Sequence, residues 1–259
     1  MEIVNKRSII RYFDGRLEEK EDLLVDEAPL TVYFNGEELV TLLCTPEYQD
    51  ELAIGFLAAE GLINRREKLE KITVDRDNGI VYVEYKGSAR RGELFLKRYI
   101  TTGCGKGTTF YNALDPVALK PYQGEVKVPA EKLFGLMKEM QRRSELYLTT
   151  GGVHSAALCD AEKILLFRED VGRHNAADKI MGHAFLNGIS LGDKIFLTSG
   201  RISSEIILKV AKMGIGMIVS RSAPTELAIK HAEELNLTVV GFVRAGRLNI
   251  YTGRERILL

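Results

Sequence analysis

Residues 194–243 read KIFLTSGRISSEIILKVAKMGIGMIVSRSAPTELAIKHAEELNLTVVGFV. Three short apolar runs rich in β-branched residues, KIFLTSG, GMIVS and LTVVGFV, are separated by segments with helical spacing of their apolar positions. That alternation predicts a mainly parallel sheet with helices packed on it. Upstream, PAEKLFGLMKEMQRRSEL (129–146) reads as a helix, AALCD and KILLFRED as paired strands, and NAADKIMGHAFLNG (175–188) as a helix ending on Gly188. The first half reads differently. LTVYFNGEELVTLL (30–43) alternates on both sides of Asn35-Gly36, a hairpin signal, and KITVDRDNGIVYVEY (71–85) repeats it near Asn78-Gly79. Between them Thr45-Pro46-Glu47 opens an amphipathic helix, EYQDELAIGFLAAEGLI. GSARRG (87–92) is read as a loop before a strand, LFLKRYI.

The stretch from 101 to 129 is rich in Gly, Thr and Pro and fits long loops around a domain boundary. The expected organisation is a β-rich N-terminal domain with one central helix over 1–125 and an α/β domain over 126–259. The fold class is α/β, α+β overall. The chain has 259 residues, 45% hydrophobic and 28% charged, enough for one sizeable core or two domains. Lys plus Arg balance Asp plus Glu, 36 against 36, which gives no support for nonspecific attraction to nucleic acid or membranes. The N-terminus lacks the apolar core of a secretory signal, and no apolar run is long enough to span a bilayer. Three scattered cysteines, Cys44, Cys104 and Cys159, argue against a disulfide framework and fit a cytoplasmic setting.

Cys104 is the chemically suggestive cysteine. It sits in Thr101-Thr102-Gly103-Cys104-Gly105-Lys106-Gly107, where glycines permit an exposed backbone and Lys106 favours the thiolate. The plain alternative is a cysteine in a Gly-rich loop with no chemistry. Cys44 and Cys159 lie in apolar runs and suit core packing. The loop fails as a Walker A motif, because Gly107 stands where Ser or Thr is needed after Lys106. No Cys-x-x-Cys is present for zinc, so no metal site is expected. A Cys–His pair with a distant histidine stays open.

Polar clusters follow the apolar runs, where open α/β sheets bind ligands. They are Ser199 to Glu205 with Arg201, Ser220 to Thr225 with Arg221, and Phe242-Val243-Arg244-Ala245-Gly246-Arg247. Helix caps and solvated arginines explain each one singly. Together they suggest a pocket for a multiply charged ligand such as a nucleotide or its pyrophosphate. Arg168 to Asn175, with Arg173 and His174, is a further polar turn before a helix, and His154 follows a Gly pair. His183 and His231 read as structural or exposed.

Seven stretches in order resemble the FdhD/NarQ family of formate dehydrogenase accessory sulfurtransferases: CTPEYQDELAIGFLAAEGLI (44–63), TTGCGKG (101–107), TGGVHSAAL (150–158), REDVGRHNAADKIMG (168–182), TSGRISSEIILKVAKMGI (198–215), SRSAPTELA (220–228) and GFVRAGRLNIYT (241–252). The resemblance implies a sulfur carrier that takes a persulfide from a cysteine desulfurase. It implies transfer of that sulfur to the molybdenum (or tungsten) bis-guanine-dinucleotide cofactor required by formate dehydrogenase. On this chain the persulfide bearer would be Cys104. The cofactor contacts would be Phe242, Val243, Arg244, Ala245, Gly246 and Arg247, with His154, Arg201, Arg221 and Arg173 as further pocket residues. A homodimer is implied, and so is a C-terminal three-layer αβα domain similar to the cytidine deaminase fold. The zinc chemistry of that fold is not expected, since His154-Ser155-Ala156 lacks its Glu. The resemblance also implies a Cys-Gly-x-Cys-Gly loop in many members; Thr101 occupies the place three residues before Cys104 here, which leaves Cys104 as the only loop thiol. The alternative function is a chaperone that binds the molybdenum cofactor without carrying sulfur. A nucleotide-dependent enzyme of another kind would need a base or metal set that the sequence does not supply.

Overall fold

A computed structural model describes residues 3–86 and 119–259. The chain opens with a two-stranded ribbon, β1 (Val4–Phe13) and β2 (Arg16–Val25), turning on left-handed Asp14 and Gly15. β3 (Ala28–Phe34) and β4 (Glu37–Cys44) form the first expected hairpin, with Asn35 and Gly36 both at positive φ. Helix α1 (Gln49–Ala59) follows, then β5 (Leu69–Asp75) and β6 (Ile80–Tyr85). These strands make a four-stranded sheet in the order β4-β3-β6-β5. The expected loop and strand at 87–100 lie outside the described residues, as does the Cys104 segment.

The second half begins with β7 (Val128–Pro129), α2 (Ala130–Arg143) and a short α3 (Glu145–Thr150). Then come β8 (His154–Cys159), β9 (Ile164–Asp170), α4 (Arg173–Asn187), β10 (Ile195–Thr198), α5 (Ser204–Lys212), β11 (Met217–Ser220), α6 (Glu226–Glu234), β12 (Thr238–Arg244), β13 (Arg247–Thr252) and β14 (Ile257–Leu258). Six of these strands form one sheet, ordered β13-β12-β11-β10-β8-β9.

That sheet is less parallel than the sequence predicts. Only β10–β11 and β11–β12 run parallel, joined by crossovers through α5 and α6. β8–β9 and β12–β13 are hairpins, and a tight turn can only join antiparallel strands. The layers do follow the period-2 alternation of the strands. Ala157, Cys159, Leu197, Met217, Val219 and Val240 point to one face, where α2 brings Leu133, Leu136, Met137 and Met140. Ala156, Leu158, Phe196, Ile218 and Val239 point to the other, against α4, α5 and α6. The result is a three-layer α/β/α arrangement within an α/β fold. Each fully buried aliphatic or aromatic side chain there contributes about 1.5–3 kcal/mol of apolar burial.

Helix α1 ties the two halves together. Its Leu52, Phe56 and Leu57 share a core with Leu30, Val32, Val81 and Val83 of the small sheet and with Ile180 of α4. At the crossing of α1 and α4 the backbones nearly touch. A Cβ at Gly55 would lie 1.7 Å from the Asp178 carbonyl oxygen, and one at Gly182 would lie 1.8 Å from that of Glu51. Polar contacts flank the crossing. Glu51 accepts from Arg168 Nε at 2.6 Å and Nη2 at 2.7 Å, and lies 2.8 Å from His183 Nδ1. Asp170, fully buried, pairs with Lys179 Nζ at 2.7 Å and accepts from the Thr45 backbone N–H at 3.2 Å. Thr45 Oγ1 in turn accepts from the Val171 N–H at 3.1 Å. These bonds set where α1 begins: Pro46 precedes the helix, and Tyr48 takes a left-handed φ of 53° as its N-cap.

Candidate functional site

The carboxyl ends of β10, β11 and β12 and the start of antiparallel β8 meet at one edge of the six-stranded sheet. A cavity of about 640 Å³ opens there. Its walls include His154 of β8, Ser199 after β10, Arg221 and Ser222 after β11, and Phe242 and Arg244 of β12. Gln141, Ser144, Tyr147 and Leu148, at the junction of α2 and α3, close the remaining side. Four residues singled out in the sequence, His154, Arg221, Phe242 and Arg244, therefore share one cavity. Val243 is buried in the adjoining core, while Ala245 and Gly246, both at positive φ, form the tight turn between Arg244 and Arg247. Arg201 and Arg247 are exposed and lie off the cavity wall.

Local backbone choices aim these side chains. Phe242 sits at a bulge between β12 and β13 with φ of 54°, and its N–H donates to Ser222 O at 3.1 Å. Such a conformation is unfavourable for a bulky residue and here turns the ring into the cavity. Arg244 stands over that ring, 5.6 Å from its centroid. Gln141, its amide oxygen facing Arg221, accepts from Arg221 Nη1 at 2.7 Å and Nε at 2.9 Å, which orients the guanidinium across the cavity. Ser220 Oγ donates to Gly200 O at 2.7 Å, and the Ile202 N–H donates to Ala223 O at 3.0 Å, so the loops after β10 and β11 brace one another.

Titratable groups lie on this wall and behind it. His154 has its imidazole pushed below the usual range, first by burial, then by the Arg173 charge, against the opposing Asp170. His174 is pushed down to about 3, first by burial and then by the charges of Lys209, Arg173 and His154. Its Nε2 lies 3.2 Å from Glu205 Oε2. A histidine held neutral in the fold but free to protonate when unfolded makes the unfolded chain bind more protons. Stability is then full above the unfolded pKa of about 6.5 and declines as pH falls toward the folded value. Between pH 7 and pH 5, His174 should account for about 2 kcal/mol of lost stability. Urea unfolding at the two pH values checks this: His174→Gln should flatten the decline, and an unchanged decline would refute the assignment.

Among the described residues, no group of three or more His, Cys, Asp or Glu side chains is placed to hold a metal ion. No helix among them is long and apolar enough to cross a membrane. Cys44 and Cys159 are free thiols, each 0% exposed, with pKa values pushed up to about 12 chiefly by burial.

Residues 25–258 match the FdhD/NarQ family. The chain belongs to that family. It is 50% identical over 252 residues to the sulfur carrier protein FdhD of Bacillus subtilis, covering 97% of this chain and 96% of that one. The corresponding protein of Listeria monocytogenes serotype 4b is 45% identical over 264 residues, covering 99% and 100%. The fold is shared with the crystal structure of a formate dehydrogenase accessory protein from Desulfotalea psychrophila, at a TM-score of 0.84 and 24% identity, over 99% of this chain and 100% of that one.

In this FdhD/NarQ chain, sequence reasoning missed the α2–α3 wall. Gln141, Tyr147 and Leu148 carry no motif, and their place at the cavity follows from a break at Ser144. There Ser144 Oγ donates to Met140 O at 2.9 Å and meets Ser155 Oγ at 2.8 Å. The segment expected as one helix is thereby split into α2 and α3. Glu169 completes the junction by accepting from the Leu146 and Tyr147 N–H groups, both at 3.1 Å.

Proposed function

We propose that this chain is a sulfur carrier for the maturation of formate dehydrogenase, with Cys104 as the persulfide bearer. The observation that carries the reading is the state of the other two thiols. Cys44 and Cys159 are sealed in the core with pKa values about 12, so neither supplies a thiolate. Cys104 is the remaining cysteine of the chain. In the first step its thiolate attacks the outer sulfur of a cysteine desulfurase persulfide. The donor S–S bond breaks, the donor cysteine leaves as thiolate, and Cys104 holds the new S–S bond. The acceptor is the molybdenum (or tungsten) bis-guanine-dinucleotide cofactor, which is substrate here. The cavity suits part of it. Its 640 Å³ falls in the ordinary range for small-molecule sites, about 300–1,000 Å³. Phe242 offers a ring for a base to stack on, and Arg221 and Arg244 offer guanidiniums to phosphates.

The direct test is mass spectrometry of the full chain after incubation with a cysteine desulfurase and cysteine. The protein should gain one sulfur atom, mapped to the 101–107 peptide. A gain elsewhere, or none, would refute the carrier assignment. The chaperone reading draws on the cavity alone, whose described lining would hold a cofactor whether or not Cys104 carries sulfur.

A further inference from the structure

Helix α3 has open space on both sides. Its Tyr147 and Leu148 form part of the wall of the 640 Å³ cavity. Its Glu145, Leu146 and Thr149 line a second cavity of about 370 Å³, on the side of Tyr48, Phe167 and Arg168. None of the residues of α3 is buried, and Leu148 stands 68% exposed. The other walls differ. Those at His154, Ser199 and Arg221 continue from β8, β10 and β11, and β10 and β11 are buried along their whole length. Of these walls, the one without a buried apolar side chain moves at the lowest cost.

α3 is also built to move as a unit. The Leu148 N–H donates to Ser144 O at 2.8 Å and the Gly151 N–H to Tyr147 O at 2.7 Å. The Thr149 and Thr150 hydroxyls donate to the Glu145 and Leu146 carbonyls at 2.7 and 2.8 Å. Its two ends are joints. Ser144 leaves helical geometry with ψ of 60°, and Gly151 takes a φ of 69° that glycine adopts without strain. Among the described residues, the side chain that holds α3 to the six-stranded sheet is Glu169 of β9, through the Leu146 and Tyr147 N–H groups. Glu169 itself lines the second cavity. α3 also lies against β2, but a two-stranded ribbon is a weak support.

We infer that α3 is a movable partition between the two cavities, latched by Glu169. With the latch made, α3 closes the cavity at the strand ends. With the latch released, it swings toward Tyr48 and Arg168 and widens that cavity. Glu169 is thus a positioning residue, acting on the cargo through Tyr147 and Leu148. The inference goes beyond the sulfur-carrier reading and rests on it only for the cargo, a nucleotide-bearing cofactor of which the closed cavity suits a part.

Hydrogen exchange of the full chain, read by mass spectrometry, tests the latch, with Glu169→Gln as the variant. Gln keeps the shape and loses the charge that strengthens both hydrogen bonds. The 145–151 amides should exchange about tenfold faster in the variant, while those of α2 and β8 stay as they are. Guanosine diphosphate carrying a fluorophore on its ribose is the probe for the wall. Bound to the wild type, it should slow exchange at 145–151 and leave α2 unchanged. In stopped-flow mixing, Glu169→Gln should bind it about threefold faster or more, because a larger fraction of the chains stands open. A carboxylate that merely supported the fold would leave the association rate unchanged and speed dissociation. The partition is overturned if 145–151 exchanges at the same rate in both proteins, or if both bind the labelled nucleotide equally fast. If Glu169→Gln fails to fold, the wild type decides: 145–151 exchanging as slowly as α2 without the probe, or unaffected by bound probe, overturns the partition. A wild type that binds no labelled nucleotide counts against the cofactor reading, and the exchange of Glu169→Gln then decides the partition by itself. Sulfur loading of wild-type Cys104 tests the carrier reading separately.

Discussion

Replacing Cys104 with Ala should abolish sulfur loading and reduce formate dehydrogenase maturation to background, a loss of at least ~100-fold for removal of a covalent carrier. The size follows from the absence of a substitute. With pKa values about 12, the Cys44 and Cys159 thiols are ionised at neutral pH to roughly one part in 10⁵, and both are fully buried. Cys104 is the only cysteine of the 101–107 segment, so no neighbouring thiol in that segment can take over. Cys159→Ala is the matched control. It should cost about 1 kcal/mol through a small cavity beneath α2 and leave loading intact. Maturation assays in a strain lacking its own carrier, paired with mass spectrometry, decide the outcome. Loading of Cys104→Ala would refute the mechanism. Lost loading with full maturation would favour the cofactor chaperone.

The second large effect concerns the crossing of α1 and α4. Gly182→Ala should destabilise the protein by about 3 kcal/mol or more, at the upper end of what overpacking costs. Gly55→Ala should do the same. In each case the new methyl would start less than 2 Å from a backbone carbonyl oxygen, at 1.8 Å and 1.7 Å. Backbone cannot rotate away as a side chain can, so the helices must part and loosen the core between Phe56, Leu57 and Ile180. Gly135, inside α2, has nothing within 4 Å of an added Cβ. Gly135→Ala should therefore stabilise by up to about 1 kcal/mol, the ordinary helix preference for Ala. In a chain of this size the Gly182 effect corresponds to a Tm drop of about 6–12 °C. A drop no larger than about 1 °C would show that the crossing is looser than the geometry states.

Much of the fold is legible in short stretches of the chain. The Asn35-Gly36 hairpin, the termination of α4 at Gly188 and the β-branched runs of β10, β11 and β12 all express local preferences, which depend on a few neighbouring residues. The β1–β2 ribbon is not legible in this way. Its charges break the alternation that marks a strand, and Ile10, Tyr12, Phe13 and Leu17 lie about 70% exposed. The break at Ser144 is equally silent, because it depends on a hydroxyl pairing with Ser155, a residue on another element.

For the site, the sequence alone determined the chemistry on offer: one cysteine among glycines, arginines after apolar strands, and the ordered stretches of the FdhD/NarQ family. Side-chain type and spacing carry that information directly. Only the tertiary structure decided which arginines act together. Arg221 and Arg244 reach the cavity and Arg201 and Arg247 do not, since strand register and the positive φ of Phe242 and Ala245 set their directions. The structure also decided that two thiols are inert and that Arg173 is buried without a carboxylate partner among the described residues. Burial and pairing depend on what distant segments bring alongside a residue, and no local stretch of sequence encodes them.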